Sequence, residues 1–309
     1  MTRHRKLRAT LGAGSVVAVV GLVALRIVTR RRNLDRVTAT LGVRHPRPPA
    51  PGDVRLSVVI PAYREPRIGD AIAAVRSALG DVDAAGDLEI IVVDDGSYDG
   101  TDERALRAGA DRVLRLAVNR GKGAAVRTGI LAARGRTIAF TDADMSYPPT
   151  QLALLCAEVE SGWDVVVGSR LHADTTTLVR ARRLRELGGR VINALTRAVL
   201  LGGHRDTQCG LKAFRSDAAR LIFSHAHLDG FAFDVEVFHL IERYGLSLAE
   251  IPVSVVNTRR SSVRVVRDAG RLVRDLFRIR AWAATGVYEI DPVSEVDGGT
   301  PLPGTGMGR

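Results

Sequence analysis

Short strand-like runs alternate with longer helix-like segments between residues 56 and 167, and this rhythm constrains the fold more than any other feature. The strand-like runs are apolar and rich in β-branched residues: Leu56–Ile60, Glu89–Val93, Arg112–Leu116, Thr137–Thr141 and Val165–Val167. Helical patterns separate them at Ile68–Leu79, Asp102–Ala108, Gly123–Ala133 and Pro149–Glu160. The alternation predicts an α/β fold with a mainly parallel central sheet covered by helices.

Polar motifs follow the predicted strands at their carboxyl ends, where parallel sheets bind ligands. Pro61-Ala-Tyr-Arg-Glu65 follows the first strand, and Asp94-Asp-Gly-Ser-Tyr-Asp-Gly-Thr101 follows the second. Proline and glycine make turns that let the backbone approach a ligand, and a carboxylate there can accept hydrogen bonds from a base or a ribose. Taken alone, either motif is more often an ordinary β-to-α turn.

Asp142 and Asp144 follow the fourth strand, in Phe140-Thr-Asp-Ala-Asp-Met145. Residues i and i+2 of a strand share a face, so the two carboxylates can point to one spot. Carboxylate oxygens suit a hard divalent cation that keeps positions open for substrate phosphates. An isolated Asp-x-Asp is more often a solvated turn or a helix cap, so the prediction of a metal site depends on the neighbouring motifs.

Asn119-Arg-Gly-Lys-Gly-Ala124 opens the third predicted helix. Glycines and a lysine beside the free N–H groups of a helix start form a natural phosphate cradle. The spacing is neither that of a Walker loop nor that of the Rossmann glycine fingerprint. The segment therefore predicts phosphate binding without assigning it to either of those classes.

The net charge of +11 and the isoelectric point of about 10.6 indicate anionic partners. Aromatic residues make up only 5%, and no basic segment is interleaved with stacking rings, so we expect no nucleic acid partner. Acidic lipid headgroups and phosphorylated substrates fit the charge better. Cys156 and Cys209 are too few for a disulfide framework or a zinc site and are consistent with a reducing cytoplasm.

The uncharged run Ala9–Leu25 is flanked by basic residues on both sides and predicts one membrane-spanning helix. Its 17 residues would extend over about 26 Å, nearly the thickness of a bilayer core. Arginines stand where a signal peptide would be cleaved, which disfavours that alternative. The slight excess of basic residues after the run favours a single-pass protein of the cell membrane with its catalytic part in the cytoplasm.

In their chain order, these motifs resemble those of family 2 glycosyltransferases with the GT-A fold. The series includes Val167-Gly-Ser-Arg170, and the resemblance covers residues 55 to 282. Two downstream blocks are similar to the dolichyl-phosphate β-glucosyltransferase branch: Asp206-Thr-Gln-Cys-Gly-Leu-Lys-Ala-Phe214 and Gly230-Phe-Ala-Phe-Asp-Val-Glu236. The chain departs from the family in having Arg64 where asparagine is usual and Tyr98 where threonine is common.

The resemblance implies roles for individual residues of the donor site. The side chains expected to line a uridine pocket, with Lys122 near it, are Pro61, Tyr63, Glu65, Asp94 and Asp95. Asp142 and Asp144 would hold Mg²⁺ or Mn²⁺ on the diphosphate, where the metal offsets the charge of the departing nucleoside diphosphate. Arg170 would contact a phosphate of the donor or the acceptor; the alternative for Arg170 is a surface salt bridge.

Asp234 and Asp206 are the two candidates for a catalytic carboxylate. In related inverting enzymes a carboxylate near the position of Asp234 deprotonates the acceptor hydroxyl. A lipid phosphate monoester has a second pKa of about 6 and is already largely dianionic at neutral pH, so proton removal is hardly needed. We therefore expect both residues to position sugar hydroxyls or the acceptor, and a role as base stays open.

The acceptor side is predicted from arginine spacing. Arginines recur every three or four residues along one helical stripe: Arg260, Arg264, Arg267, Arg271, Arg274 and Arg278. This is typical of a helix at an anionic membrane surface, and the alternative is a solvated face packed against the domain. A second basic segment contains Arg183 and Arg190, which we predict to bind the phosphate of a polyprenyl acceptor.

The predicted organisation has five parts. Residues 1–32 form the membrane anchor, 33–54 a proline-rich linker, 55–257 the GT-A catalytic domain, 258–290 the basic interfacial helix and 291–309 a disordered tail. The predicted activity is transfer of glucose from UDP-glucose to a polyprenyl phosphate with inversion. The alternatives are a GDP-mannose-dependent mannosyltransferase and a non-catalytic nucleotide-binding membrane adaptor.

Overall fold

A computed structural model describes residues 38–172, 175–177, 206–256 and 265–290. They form ten strands: β1 (Thr38–Leu41), β2 (Val54–Ala62), β3 (Leu88–Asp94), β4 (Arg112–Arg115), β5 (Gly135–Thr141), β6 (Val165–Ser169), β7 (Thr176–Thr177), β8 (Leu211–Arg215), β9 (Leu248–Pro252) and β10 (Ser254–Val255). The eight helices are α1 (Ile68–Ala78), α2 (Gly80–Ala84), α3 (Thr101–Arg107), α4 (Lys122–Ala132), α5 (Thr150–Glu160), α6 (Ser216–His225), α7 (Phe233–Arg243) and α8 (Val265–Ala284).

Eight strands form one mixed, mostly parallel sheet in the order β1-β9-β6-β8-β5-β2-β3-β4. Strand β2 pairs in parallel with β3 and β5, β3 with β4, and β6 with β9. Strand β8 runs antiparallel between β5 and β6, and β1 runs antiparallel at the edge beside β9. The short strands β7 and β10 pair separately. The prediction of a mainly parallel α/β sheet is confirmed.

Helices cover both faces of the sheet, which is why its central strands are apolar throughout and do not alternate with polar residues. Successive residues of a strand point to opposite faces. Val59 and Val93 pack with α4, α6, α7 and α8, whereas Val58 and Val92 pack with α1, α3 and α5. The two cores together hold the carboxyl ends of β2, β3 and β5 at one edge of the sheet.

The predicted linker, residues 33–54, has more structure in its described part than an extended spacer. Strand β1 pairs with β9 with Thr38 opposite Glu250 and Leu41 opposite Leu248, and Val54 already belongs to β2. The short, partly β-branched run of β1 precedes the proline-rich stretch from Pro46 to Pro51. Local composition does not show a partner strand that is about 200 residues away.

The predicted anchor (1–32) and tail (291–309) lie outside the described residues. Across the ranges that the structure does describe, none of the helices has the length and apolar character needed to cross a bilayer. The anchor therefore stays a prediction.

Helix α8 covers most of the predicted interfacial helix and packs against the catalytic domain. Leu276 and Ile279 are buried in the same core as α7, and so is Tyr288, just after the helix. Arg274 and Arg278 are exposed, and both pair with the buried Asp275. The apolar side of α8 therefore packs on the domain, as the alternative prediction stated, and the basic side of the helix faces outward.

Candidate functional site

The carboxyl ends of β2, β3 and β5 bring most of the predicted donor-site residues to one edge of the sheet. Ala62 stands opposite Asp94 in the register of β2 and β3, and Asp142 follows β5 directly. Lys122 begins α4 and forms an ion pair with Asp142 across this edge. The sequence motifs that we placed at strand ends therefore do meet in space.

Asp94 carries a buried oxygen that has no hydrogen-bond partner in the part of the chain that the structure describes. The residue is fully buried; its Oδ1 accepts the Ser97 N–H at 3.0 Å, and its Oδ2 is the unpaired atom. An unpaired buried acceptor costs free energy, so native proteins rarely retain one without a use. Asp94 Oδ2 is therefore suited to accept an N–H or O–H of a ligand.

Asp95 shapes the glycine-lysine turn. Its two carboxylate oxygens accept the backbone N–H groups of Arg120 at 2.7 Å and Gly121 at 2.8 Å. Burial raises the pKa of Asp95, and these two hydrogen bonds oppose the rise. We predicted Asp95 in the uridine pocket; in the structure its side chain holds the turn that carries Lys122.

The turn after β2 is tied to the turn after β3. The Arg64 N–H donates to Ser97 Oγ at 2.8 Å, and the Glu65 N–H donates to Thr101 Oγ1 at 3.1 Å. Arg64 has a φ of +51°, a left-handed conformation that the asparagine usual in the family adopts more easily. Tyr63 is 44% exposed, with the Arg64 guanidinium 5.2 Å from its ring centre.

Pro61 lies within β2, opposite Val93 of β3, and is partly buried. Tyr63 and Glu65 follow β2 in the turn that is hydrogen-bonded to the turn after β3, and Asp94 ends β3. The structure thus places these predicted pocket residues on adjacent strand ends, as the sequence motifs require.

Lys122 and Asp142 form an ion pair at this edge. The ammonium nitrogen lies 2.5 Å from Asp142 Oδ1. Burial disfavours the charged form of Lys122, but the carboxylates of Asp142, Asp234 and Asp144 outweigh it and raise the pKa of the lysine. The ammonium group is therefore charged, and it can face the phosphates of a donor.

Asp142 and Asp144 fit a divalent cation that also binds phosphate. Gly210 has no side chain, and a methyl group in its place would overlap the Asp142 carboxylate. Asp144 Oδ1 accepts the Ser146 N–H at 3.0 Å. Within the described ranges no group of three or more His, Cys, Asp or Glu side chains could hold a metal. The two aspartates would thus share Mg²⁺ or Mn²⁺ with oxygens of the diphosphate.

Asp234 forms an ion pair with a buried lysine, Lys212, whose role we did not predict from the sequence. Lys212 is fully buried on β8, and its Nζ donates to Asp234 Oδ1 and to the Cys209 carbonyl oxygen, each at 2.6 Å. Burial raises the pKa of Asp234, whereas Lys212 and Lys122 oppose the rise. The signal was a lysine in an otherwise apolar strand, Leu211–Phe214.

Arg170 and Asp206 form a bidentate ion pair. Arg170 Nε and Nη2 donate to Asp206 Oδ2 and Oδ1 at 2.8 Å each. The Arg170 backbone N–H also donates to Asp206 Oδ2, at 2.9 Å. Burial raises the pKa of Asp206, but Arg170 reverses the effect and the pKa lies below its usual value. Arg170 thus forms a salt bridge, but with a buried carboxylate and not with a surface one. Arg183 and Arg190 lie outside the described residues.

Comparison with known proteins agrees with this arrangement. The sequence model of the family "Glycosyl transferase family 2" matches residues 57–223. Dolichyl-phosphate beta-glucosyltransferase of Drosophila melanogaster is 33% identical over 258 residues, which are 78% of this chain and 79% of the relative. The Homo sapiens protein of the same name is 31% identical over 79% of this chain and 80% of its own length.

A solved structure supports the fold. Glucosyl-3-phosphoglycerate synthase from Mycobacterium tuberculosis, in complex with Mn²⁺, uridine diphosphate and glucosyl-3-phosphoglycerate, superposes with a TM-score of 0.55. The two sequences are 25% identical, and the aligned part is 75% of this chain and 80% of the solved chain. The predicted GT-A fold is confirmed. With the sheet-edge site, the family match and the relatives in agreement, this chain belongs to glycosyl transferase family 2.

Proposed function

We propose that the protein transfers glucose from UDP-glucose to a polyprenyl (dolichyl-type) phosphate, with inversion, to give a β-linked lipid phosphoglucose. The observation that carries the donor half is the unpaired buried Asp94 Oδ2 on the same sheet edge as the Lys122–Asp142 pair. One end of this edge suits a nucleoside and the other a diphosphate. The relatives named as dolichyl-phosphate beta-glucosyltransferases support the sugar and the acceptor.

The donor would lie with its base at Asp94 and its diphosphate between Lys122 and the two aspartates. Asp142 and Asp144 would hold Mg²⁺ or Mn²⁺, which when bound offsets the charge that develops on the leaving diphosphate. The Lys122 ammonium adds a second positive charge beside it. A solved relative that holds Mn²⁺ and uridine diphosphate supports this assignment.

The acceptor phosphate needs no general base, because it is largely ionised at neutral pH. Asp234 is engaged by Lys212, and Asp206 is engaged by Arg170. These fixed carboxylates are suited to orient sugar hydroxyls. We also propose that Arg183 and Arg190 bind the acceptor phosphate and that the basic side of α8 faces an anionic membrane surface. The predicted single-pass anchor would keep the catalytic part at the cytoplasmic side of the cell membrane.

Replacement of Asp94 by asparagine should weaken nucleotide binding about 10- to 100-fold, the effect of one charge-assisted hydrogen bond. Asparagine keeps an acceptor for the Ser97 N–H but presents an NH₂ group where Oδ2 was. The stability of the ligand-free protein should not fall, because the lost oxygen has no protein partner. Calorimetric titration with uridine diphosphate and thermal unfolding test both statements; equal affinity in the variant would remove Asp94 from the base pocket.

Charge reversal at both Arg183 and Arg190 should raise KM for the lipid acceptor about 10- to 100-fold, since each arginine loses a charge-assisted contact with phosphate. The affinity for uridine diphosphate should stay at the wild-type value. A control with the same change in net charge reverses Arg107 and Arg220, which are exposed on α3 and α6. An unchanged lipid KM in the Arg183/Arg190 variant would end this assignment.

A transfer assay with two donors tests the proposed function. Membranes that contain the full chain receive polyprenyl phosphate and either radiolabelled UDP-glucose or radiolabelled GDP-mannose, and label in the lipid phase is counted. We expect product from UDP-glucose. Product from GDP-mannose alone would favour the mannosyltransferase, and nucleotide binding without transfer from either donor would favour the non-catalytic adaptor.

A further inference from the structure

A buried carboxylate connects the C-terminal end of the described chain to the candidate donor site. Glu236, in the first turn of α7, is fully buried. Its Oε1 accepts the Tyr288 hydroxyl at 2.7 Å and the His227 N–H at 3.0 Å, and its Oε2 accepts the Leu228 N–H at 2.8 Å. A buried carboxylate with three donors is a rigid anchor. Glu236 therefore joins α7, the segment 227–230 and the turn after α8.

The segment 227–230 in turn supports the glycine-lysine turn through backbone contacts. The Ala124 N–H donates to the Asp229 carbonyl oxygen at 3.2 Å. A Cβ on Gly121 would lie 2.5 Å from that oxygen, and a Cβ on Gly123 would lie 2.5 Å from the Leu228 carbonyl oxygen. Because no side chain separates the two segments, a shift of 228–229 must move the turn that carries Lys122.

Ion pairs strengthen the same contact. Arg120 and Arg127, which flank the glycine-lysine turn, pair with the Asp229 carboxylate at 3.0 and 2.5 Å. The segment 227–230 is thus held by Glu236 on one side and by the turn on the other. Its position depends on both.

Tyr288 is the member of this series of contacts that is farthest from Lys122 along the hydrogen bonds. Its ring is fully buried and packs on the rings of His227, His239 and Trp282. Helices α7 and α8 and Tyr288 all follow residue 223, where the family match ends. The part of the chain that the family match covers is therefore completed by a C-terminal structure outside that match.

We propose that Tyr288 and Glu236 are positioning residues of the donor site. They hold the segment 227–230, and through it Lys122, in place for the diphosphate of the donor. The inference rests on the proposed function, because it assigns a nucleotide diphosphate to the Lys122 turn. It makes α8 and the turn after it a working part of the donor site in addition to a candidate membrane surface.

Tyr288→Phe tests the inference, because it removes one hydroxyl and keeps the ring. We expect Kd for uridine diphosphate with Mn²⁺, and KM for the donor, to rise about threefold to tenfold, while kcat and the lipid KM change by less than about twofold. Glu236→Gln should act in the same direction and more strongly, since its NH₂ group would face an N–H or O–H donor.

Tyr244→Phe is the matched control. The Tyr244 hydroxyl donates to the Tyr288 carbonyl oxygen at 3.1 Å, its ring contacts His225, and this hydrogen bond does not involve the Glu236 carboxylate. The control should bind nucleotide as the wild type does, with a change in Tm similar to that of Tyr288→Phe. Equal nucleotide affinity in Tyr288→Phe and Tyr244→Phe would show that Tyr288 only stabilises the fold and would overturn the inference. A wild-type protein that binds no nucleotide would overturn the proposed function and the inference with it.

Discussion

Asp142→Asn should lower the rate of sugar transfer by at least about 100-fold, since a metal at a leaving group stabilises the transition state by several kcal/mol. The substitution removes a negative charge from the proposed metal site and breaks the ion pair with Lys122. Asp144→Asn should act in the same direction. Initial rates with UDP-glucose and polyprenyl phosphate measure the loss, and Asp81→Asn, exposed on α2, is the control for the change in charge.

Gly210→Ala disturbs the same carboxylate without removing it. The new methyl group would overlap the Asp142 carboxylate, so this side chain would have to leave its position in the site. We expect activity to fall about 10- to 100-fold, as when the partner of a metal ligand is lost. Gly80→Ala, where a methyl group meets nothing within 4 Å, should keep full activity. Wild-type rates in Asp142→Asn and Gly210→Ala would place the chemistry elsewhere.

Lys212→Met should lower the free energy of unfolding by about 3–5 kcal/mol, because it leaves the buried Asp234 carboxylate without its cation. Urea denaturation of the purified full chain measures this loss. The double variant Lys212→Met/Asp234→Leu should recover much of the stability, since an apolar pair often replaces a buried ion pair without loss. It should not recover transfer, because the fixed carboxylate is gone.

The pH dependence of that loss has a definite sign. Burial raises the pKa of Asp234 and Lys212 opposes the rise, so removal of Lys212 raises the pKa further. The folded variant then binds a proton more readily than the unfolded chain, and stability increases as pH falls through the raised pKa. The destabilisation by Lys212→Met should therefore be smaller at pH 5 than at pH 8. A Lys212→Met protein as stable as the wild type at pH 8 would contradict the importance of the pair.

Local sequence was enough to predict the sheet and the place of the site. Strands β2 to β6 and helices α1, α3, α4 and α5 lie within a few residues of the predicted bounds, because buried parallel strands are continuous apolar runs; the short helix α2 was not predicted. Asp94 and Asp142 lie at one edge because the carboxyl ends of parallel strands share it, and Lys122 at the start of α4 pairs with Asp142 there. Each motif is a run of a few consecutive residues, and the predicted fold class indicated that these runs lie at one edge of the sheet.

Contacts between distant segments could not be predicted from the sequence. Lys212 meets Asp234 across 22 residues, and Tyr288 meets Glu236 across 52. The hydrogen bonds from the Arg120 and Gly121 backbone N–H groups to Asp95 are likewise contacts between distant segments. Such pairings depend on tertiary packing and backbone direction, which hydrophobic periodicity does not encode.

Dependence on a divalent cation tests the central claim most directly. The full chain in detergent is treated with a chelator, and transfer of label from UDP-glucose to polyprenyl phosphate is measured before treatment, after it and after Mn²⁺ is returned. We predict that the chelator abolishes transfer in the wild type, that Mn²⁺ restores it, and that Mn²⁺ does not restore it in Asp142→Asn. Transfer that the chelator leaves undiminished would contradict a metal held by Asp142 and Asp144.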